Sequence, residues 1–399
     1  MRAISVMIKP ASGLCNMRCD YCFYCDEAAK REQESYGLMT EATLKNVIRR
    51  TLTQVTDHYT LSFQGGEPTL RGLEFFKQAV AYTRQYNLNG ARVQFALQTN
   101  GYALTEEWAR FFAENGFLIG VSVDGTRLIH DRYRHPAAKK EAEKAAPKST
   151  AEPGGSGGTF DRVLASIRLL EKYGVEYNIL TVVHRMTAEN IREIYAFYRK
   201  QGWDYLQFIP CLDPLGEKPG QKEYSLLPET YGRFLTDLFG LWYEDYKKNR
   251  MPYIRHFENY LGMTMGYRPE ACDLRGHCGL QYVVEADGSV YPCDFYMLDE
   301  WKLGNFNTDR LDAVDEMRHK KRFLERSDEL HEDCRSCEWL SMCRGGCFRC
   351  RTGIPDTAFP ERQRNYFCEG FRMFFASCSE KLRELAVLTA EAAAKNNQL

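Results

Sequence analysis

The sequence predicts an α/β fold on parallel strands, either a partial barrel or a doubly wound sheet, followed by a small cysteine-rich domain and a closing helix. Three observations predict it. Six β-rich runs alternate with amphipathic helical stretches through the first half of the 399-residue chain, most of the fifteen cysteines crowd between 272 and 368, and a polar, Ala-rich helical pattern occupies about 379–395.

In chain order the candidate strands are "ISVMIK" (4–9), "YTLSFQ" (59–64), "RVQFALQ" (92–98), "FLIGVSV" (117–123), "VEYNILTVV" (175–183) and "DYLQFIP" (204–210). Each is short and rich in β-branched or aromatic residues. Helical patterns at 40–55, 71–87, 105–115, 160–173 and 187–202 separate them. Such crossovers are what parallel neighbours require. Residues 136–157, dominated by Ala, Lys, Glu, Pro, Ser and Gly, are expected to form a mobile surface insertion, because the alternation resumes at "TFDRV". A helical stretch at 228–248 leads into the cysteine-rich region, whose Gly content and short turns suit a domain stapled by ligands. The expected domains are 1–240, 241–378 and a helix over 379–399.

Lys+Arg at 53 against Asp+Glu at 54 gives a formal charge of −1. No basic face is offered to nucleic acid or anionic lipid. Nowhere do about 18 apolar residues run together, and "MRAISVMIKPASG" is too interrupted for a secretory signal. The expectation is a soluble, cytoplasmic monomer. In a reducing compartment, fifteen cysteines point to metal ligation or catalysis ahead of disulfides.

"GLCNMRCDYCFYCDE" (13–27) holds Cys15, Cys19, Cys22 and Cys25 directly after the first strand. Cys15-x3-Cys19-x2-Cys22 supplies three thiolates from one loop, enough for a four-iron cubane with one iron left open to a ligand. The competing reading is a zinc loop with Cys25 as fourth ligand, since C-x2-C pairs are common in zinc sites. Further loops follow later strands: "GGEPTL" (65–70), "QTNG" (98–101), "SVDG" (122–125) and "CLDPL" (211–215). In parallel α/β barrels the strand C-termini are where binding groups converge. Gly65 and Gly66 are expected to let a ligand approach the backbone.

C-x3-C-x2-C with Tyr21 before its last cysteine resembles the hallmark of the radical S-adenosylmethionine superfamily. The resemblance implies a partial (β/α)6 barrel and a cubane on Cys15, Cys19 and Cys22 that chelates S-adenosylmethionine, whose reductive cleavage releases a 5′-deoxyadenosyl radical. It implies cofactor contacts at Tyr21, the backbone near Gly66, Ser122, Arg134 and Leu212. Taken singly, Ser122 reads as a strand-end hydroxyl and Arg134 as a surface ion pair.

Cys272-x5-Cys278-x9-Gly288-x4-Cys293, Cys334-x2-Cys337-x5-Cys343-x3-Cys347 and Cys368 are similar to the SPASM extension of peptide-modifying radical enzymes. The resemblance implies two auxiliary four-iron clusters. Its pairing is interleaved: Cys272, Cys278, Cys293 and Cys347 for one, Cys334, Cys337, Cys343 and Cys368 for the other. Structural zinc sites compete for the local spacing. Cys25, Cys211, Cys350 and Cys378 receive no role.

"YPCDFY", "SFQGGEPTLRGLEFF", "LQFIPCLDPL" and "LWYEDY" extend the resemblance to anaerobic sulfatase-maturating enzymes, which oxidise a Cys or Ser of a sulfatase to Cα-formylglycine. What it implies is Asp294 as catalytic base, Tyr24 and Gln64 at the substrate peptide, a C/S-x-P-x-R sulfatase polypeptide as partner, and a reduced flavodoxin or ferredoxin-like electron donor. Asp294 also reads as a carboxylate bonded to loop amides. Another SPASM peptide modifier forming crosslinks, or a non-catalytic electron-transfer protein, would share the cysteines.

Overall fold

The computed structural model describes residues 3–137, 158–352 and 363–396. The expected insertion at 136–157 falls almost wholly outside the described residues. In chain order the strands are β1 (Ala3–Ile8), β2 (Met17–Cys19), β3 (His58–Phe63), β4 (Arg92–Thr99), β5 (Phe117–Ser122), β6 (Arg134–Pro136), β7 (Tyr177–Val183), β8 (Tyr205–Pro210), β9 (Tyr253–Ile254), β10 (Tyr282–Val284), β11 (Ser289–Tyr291) and β12 (Gly304–Asn305). Two compact units form: Met1–Val123 with Arg127–Asn178 and Leu280–Phe323, and Asp124–Thr126 with Ile179–Gly279 and Leu324–Leu399.

In the first unit β1, β3, β4 and β5 pair in parallel, with Val6 opposite Leu61 and Leu61 opposite Phe95. The period of two sorts the side chains. Ile4, Val6, Ile8, Tyr59, Leu61, Phe63 and Leu97 are buried on one face. That face lies under the helices Glu41–Leu52 and Leu73–Tyr86, with Phe63 4.9 Å from Phe76 between ring centroids. Each such side chain contributes about 1.5–3 kcal/mol on leaving water. Ser5, Thr60, Ser62, Gln94 and Gln98 give the other face a polar lining. Continuing the period one residue past the strand ends, Lys9 and Gln64 emerge on that polar side.

The segment from Leu280 adds to the far edge. β10 runs parallel to β1, Val6 facing Tyr282, and β11 and β12 fold back antiparallel. A separate two-stranded ribbon pairs β2 with β6 and sets Cys19 opposite Arg134.

In the second unit β7, β8 and β9 are parallel. The helical pattern expected over 187–202 breaks at Asn190 into Arg185–Glu189 and Ile191–Gln201. Gly202, at φ 75°, ends the latter in the left-handed cap that glycine favours. The helix Pro228–Lys247 packs on the closing helix, which starts at Cys368 and not near 379. The stretch 368–378 is helical because it buries Phe374 and Phe375, a signal that its flanking cysteines obscure. Close approach is possible because Gly232 faces Gly370: a Cβ on Gly370 would lie 2.4 Å from the Pro228 carbonyl oxygen.

Candidate active site

After β1 the chain turns at Ser12, at φ 51°, and presents Cys15, Cys19 and Cys22 from one loop. The "GGE" segment lies along it: Gly66 N donates to Ser12 O at 2.9 Å and Glu67 N to Leu14 O at 2.8 Å. A Cβ on Gly66 would sit 2.0 Å from Leu14 O. The approach that requires glycine is therefore that of the cysteine loop's own backbone, where the sequence suggested a ligand.

Glu67 is fully buried, and its carboxylate accepts from Thr69 N (3.1 Å), Thr69 Oγ1 (2.6 Å), Thr99 Oγ1 (2.9 Å) and Asn100 N (2.8 Å). Asn100 in turn donates to Asn16 Oδ1 at 2.8 Å, with Cys15 Sγ at 3.5 Å from its Nδ2. The loops "GGEPTL" and "QTNG" thus brace the first cysteine. Neither Glu67 nor Asn100 stood out as a functional residue in the sequence, although each lies in a loop already marked by its place after a strand.

Burial, then the charges of Glu67 and Cys19, push the Cys15 thiol well up. At Cys22 the thiolate is favoured, chiefly by hydrogen bonding from the Cys25 thiol, with backbone amides of Cys25 and Tyr24 and the Arg134 charge adding to it. Arg134 Nη1 lies 3.8 Å from Cys19 Sγ, and its guanidinium stands 5.6 Å from the centre of the buried Tyr21 ring. β2–β6 pairing brings together Tyr21, Arg134 and Cys19, which sequence alone left 115 residues apart in the case of Cys19 and Arg134. Ser122 ends β5 in the same unit, half-buried. Leu212 belongs to the second unit, where it lines a small pocket with Cys211, Asp213, Arg349 and Tyr366.

Asp294 opens a short 3-10 turn directly after Cys293 and is buried. Tyr24 Oη donates to its Oδ2 at 2.7 Å and Gln64 Nε2 to the same atom at 3.1 Å; Gln64 also donates to Tyr24 Oη at 2.7 Å. Lys9 Nζ lies 2.9 Å from Oδ1, in an ionic contact off the hydrogen-bond direction, so Oδ1 receives no directed hydrogen bond. Burial, with Asp294 next, pushes the Tyr24 phenol well above its ordinary value, so it is a neutral donor. The structure brings Asp294, Tyr24 and Gln64 within hydrogen-bond reach of one another. The reading of Asp294 as a carboxylate held by loop amides finds no such bond among the described residues, since its oxygens face side chains.

In the second unit, Cys272 and Cys278 each feel the charge of Cys347, while Cys343 feels those of Cys368, Cys334 and Cys337. Cys347 thus neighbours Cys272 and Cys278, and Cys343 neighbours Cys334, Cys337 and Cys368. Cys293 lies in the first unit. Of the four cysteines without a role, Cys25 and Cys350 touch Cys22 and Cys347 respectively, and Cys211 and Cys378 are simply buried.

No cysteine is bridged, and among the described residues no three His, Cys, Asp or Glu side chains are arranged to hold a single metal ion. No described helix is long and apolar enough to cross a membrane.

A strand-end cysteine loop of this form and a second cysteine-rich region define a radical S-adenosylmethionine protein with an added iron–sulfur domain. Residues 10–198 match the Radical SAM superfamily, and residues 277–338 match SPASM, an iron-sulfur cluster-binding domain. A cysteine-type anaerobic sulfatase-maturating enzyme of Clostridium novyi is 40% identical over 97% of this chain and 98% of its own length. A serine-type enzyme of Bacteroides thetaiotaomicron is 31% identical over 94% of this chain and 89% of its own. A solved structure described as "Native anSMEcpe with bound AdoMet and Cp18Cys peptide" superposes with TM-score 0.87 at 38% identity, covering 97% of this chain and 99% of that one. The chain belongs to the anaerobic sulfatase-maturating enzyme family of radical S-adenosylmethionine enzymes. Its cofactors are S-adenosylmethionine and 4Fe–4S clusters.

Proposed function

We propose that the protein oxidises the active-site cysteine of a sulfatase to Cα-formylglycine, with Asp294 as the base. The observation that carries this reading is the buried carboxylate with one oxygen occupied by Tyr24 and Gln64 and the other free of directed hydrogen bonds. Cysteine is placed ahead of serine because the cysteine-type relative is the more similar, 40% against 31%.

Cys15, Cys19 and Cys22 would hold the cubane with the open iron, and the eight cysteines of the second set would hold two auxiliary clusters. When bound, S-adenosylmethionine supplies the radical that takes a hydrogen atom from the substrate Cβ. Forming the thioaldehyde also requires loss of the thiol proton, which Asp294 Oδ1 would accept, and of one electron, for which an auxiliary iron–sulfur cluster would be the acceptor; water then replaces the sulfur to give the aldehyde and hydrogen sulfide. Tyr24 and Gln64 hold the carboxylate by Oδ2, so its second oxygen keeps a fixed direction. Arg134 and Tyr21 form a charged and aromatic wall beside Cys19 for the cofactor. The electron donor would be a reduced flavodoxin or ferredoxin-like protein, and the enzyme would act as a cytoplasmic monomer.

Anaerobically reconstituted protein, given reductant, S-adenosylmethionine and a C-x-P-x-R or S-x-P-x-R peptide, is expected to yield the aldehyde by mass spectrometry, with the cysteine peptide converted faster. Methionine and 5′-deoxyadenosine without a modified peptide would overturn the reading.

A further inference from the structure

Lys9, the last residue of "ISVMIK", is given no role by the sequence, yet it is built into the site from several sides. Its backbone N donates to Val284 O at 2.8 Å, joining the end of β1 to β10. Its stem runs beneath Gly65, at φ 120°, where a Cβ would come within 3.1 Å of Lys9 Cγ and 3.2 Å of Lys9 Cβ. The ammonium stands 4.2 Å from the centre of the Tyr24 ring and 2.9 Å from Asp294 Oδ1, in a side chain only 4% exposed. It also borders a small pocket shared with Tyr24, Glu27, Arg31 and Glu285. Arg31 Nη1 lies 2.7 Å from Glu285, so that carboxylate already has its cation.

We propose that Lys9 is the positioning residue for the base: its buried ammonium, 2.9 Å from Oδ1 and seated against the Tyr24 ring, fixes the Asp294 carboxylate so that Oδ1 is held toward the substrate thiol. The inference rests on the assignment of Asp294 as base. A buried ion pair is a poor device for stability, because well-packed apolar residues do as well. At a reacting carboxylate it has a use that apolar packing lacks. An apolar neighbour would pack against the carboxylate without fixing its orientation, whereas an ammonium at contact distance fixes where Oδ1 sits. The ammonium lies off the hydrogen-bond direction of Oδ1 and so leaves an acceptor position there. In the step itself the substrate S–H bond breaks, an O–H bond forms at Oδ1, and Lys9 keeps its protons. The ring of Tyr24 stabilises the ammonium from the other side, a contact that strengthens when water is excluded.

The test compares wild type, Lys9→Met, Lys9→Gln and Lys9→Arg as reconstituted full-length enzymes with the C-x-P-x-R peptide. It reads aldehyde formed per 5′-deoxyadenosine, peptide affinity by fluorescence anisotropy, and iron content. Both neutral variants are expected to lose about tenfold or more in aldehyde per 5′-deoxyadenosine, less than the about 10²–10⁴ ascribed to removing a general base itself. Peptide affinity and iron content are expected to stay at the wild-type level, and Lys9→Arg is expected to recover most of the loss. Wild-type coupling in the neutral variants, or an arginine variant no better than them, would overturn the proposal. So would loss of iron in both neutral variants, which would make Lys9 purely structural. A wild-type enzyme that forms no aldehyde at all would instead overturn the proposed function.

Discussion

Replacing Asp294 by Asn keeps the side chain's shape and removes both its charge and its capacity to take a proton. The amide oxygen can occupy the position of Oδ2 and still accept from Tyr24 and Gln64, at 2.7 and 3.1 Å in the native site. The amide nitrogen then faces the Lys9 ammonium, 2.9 Å from the atom it replaces, donor against cation. Two costs follow. Loss of general-base catalysis lowers the rate of peptide oxidation by about 10²–10⁴, which is about 3–5 kcal/mol of barrier. Lys9 is also left as a buried charge without its partner, and breaking such a pair costs about 3–5 kcal/mol of stability. The cysteine loop and its braces, Glu67 and Asn100, do not involve Asp294, so 5′-deoxyadenosine should still form. The assay quantifies 5′-deoxyadenosine and aldehyde peptide in the same anaerobic reaction, beside a thermal melt. Aldehyde at the wild-type rate would refute the role of Asp294, and an unchanged melt would refute the strength assigned to the Lys9 pair.

Gly66→Ala places a methyl 2.0 Å from the Leu14 carbonyl oxygen, which is backbone and cannot swing aside; iron analysis should show about four of about twelve irons lost and no cleavage of S-adenosylmethionine, and full iron would contradict the packing described. Cys25→Ala should leave iron content and turnover nearly unchanged. In the metal-free protein the same change removes the thiol that most favours the Cys22 thiolate, so alkylation of Cys22 at neutral pH should slow, as peptide mapping would show. Burial raises the Glu67 carboxyl above its ordinary range, so the folded state holds that proton more tightly than the unfolded one. Its contribution to stability is fully present below the ordinary carboxylate range and is lost as pH rises through the raised value. Urea midpoints of the metal-free protein should fall across that window, and the Glu67 component of the fall should disappear in Glu67→Gln.

Much of the site was legible in order along the chain. The apolar alternation in "ISVMIK", "YTLSFQ" and "RVQFALQ" places β1, β3 and β4 within a residue or so of where they form, because a strand's period of two is a local property. The same holds for the loops after them, and for Tyr24, Gln64 and Asp294, which the motifs singled out and the fold draws within hydrogen-bond reach. Helix boundaries at Asn190 and Cys368 were less legible, since a capping break and an apolar stretch between cysteines leave weak periodic signals.

By itself, then, the sequence determined the parallel strands, the place of the four-cysteine loop after the first of them and the long spacing of the second cysteine set. Each is a pattern between near neighbours or a fixed interval along one chain. Only the tertiary structure decided that β10 lies beside β1, that Arg134 stands opposite Cys19, that Glu67 and Asn100 brace Cys15, and that Lys9 meets Asp294. Those contacts join residues far apart in the chain through burial and charge pairing, which no local period encodes.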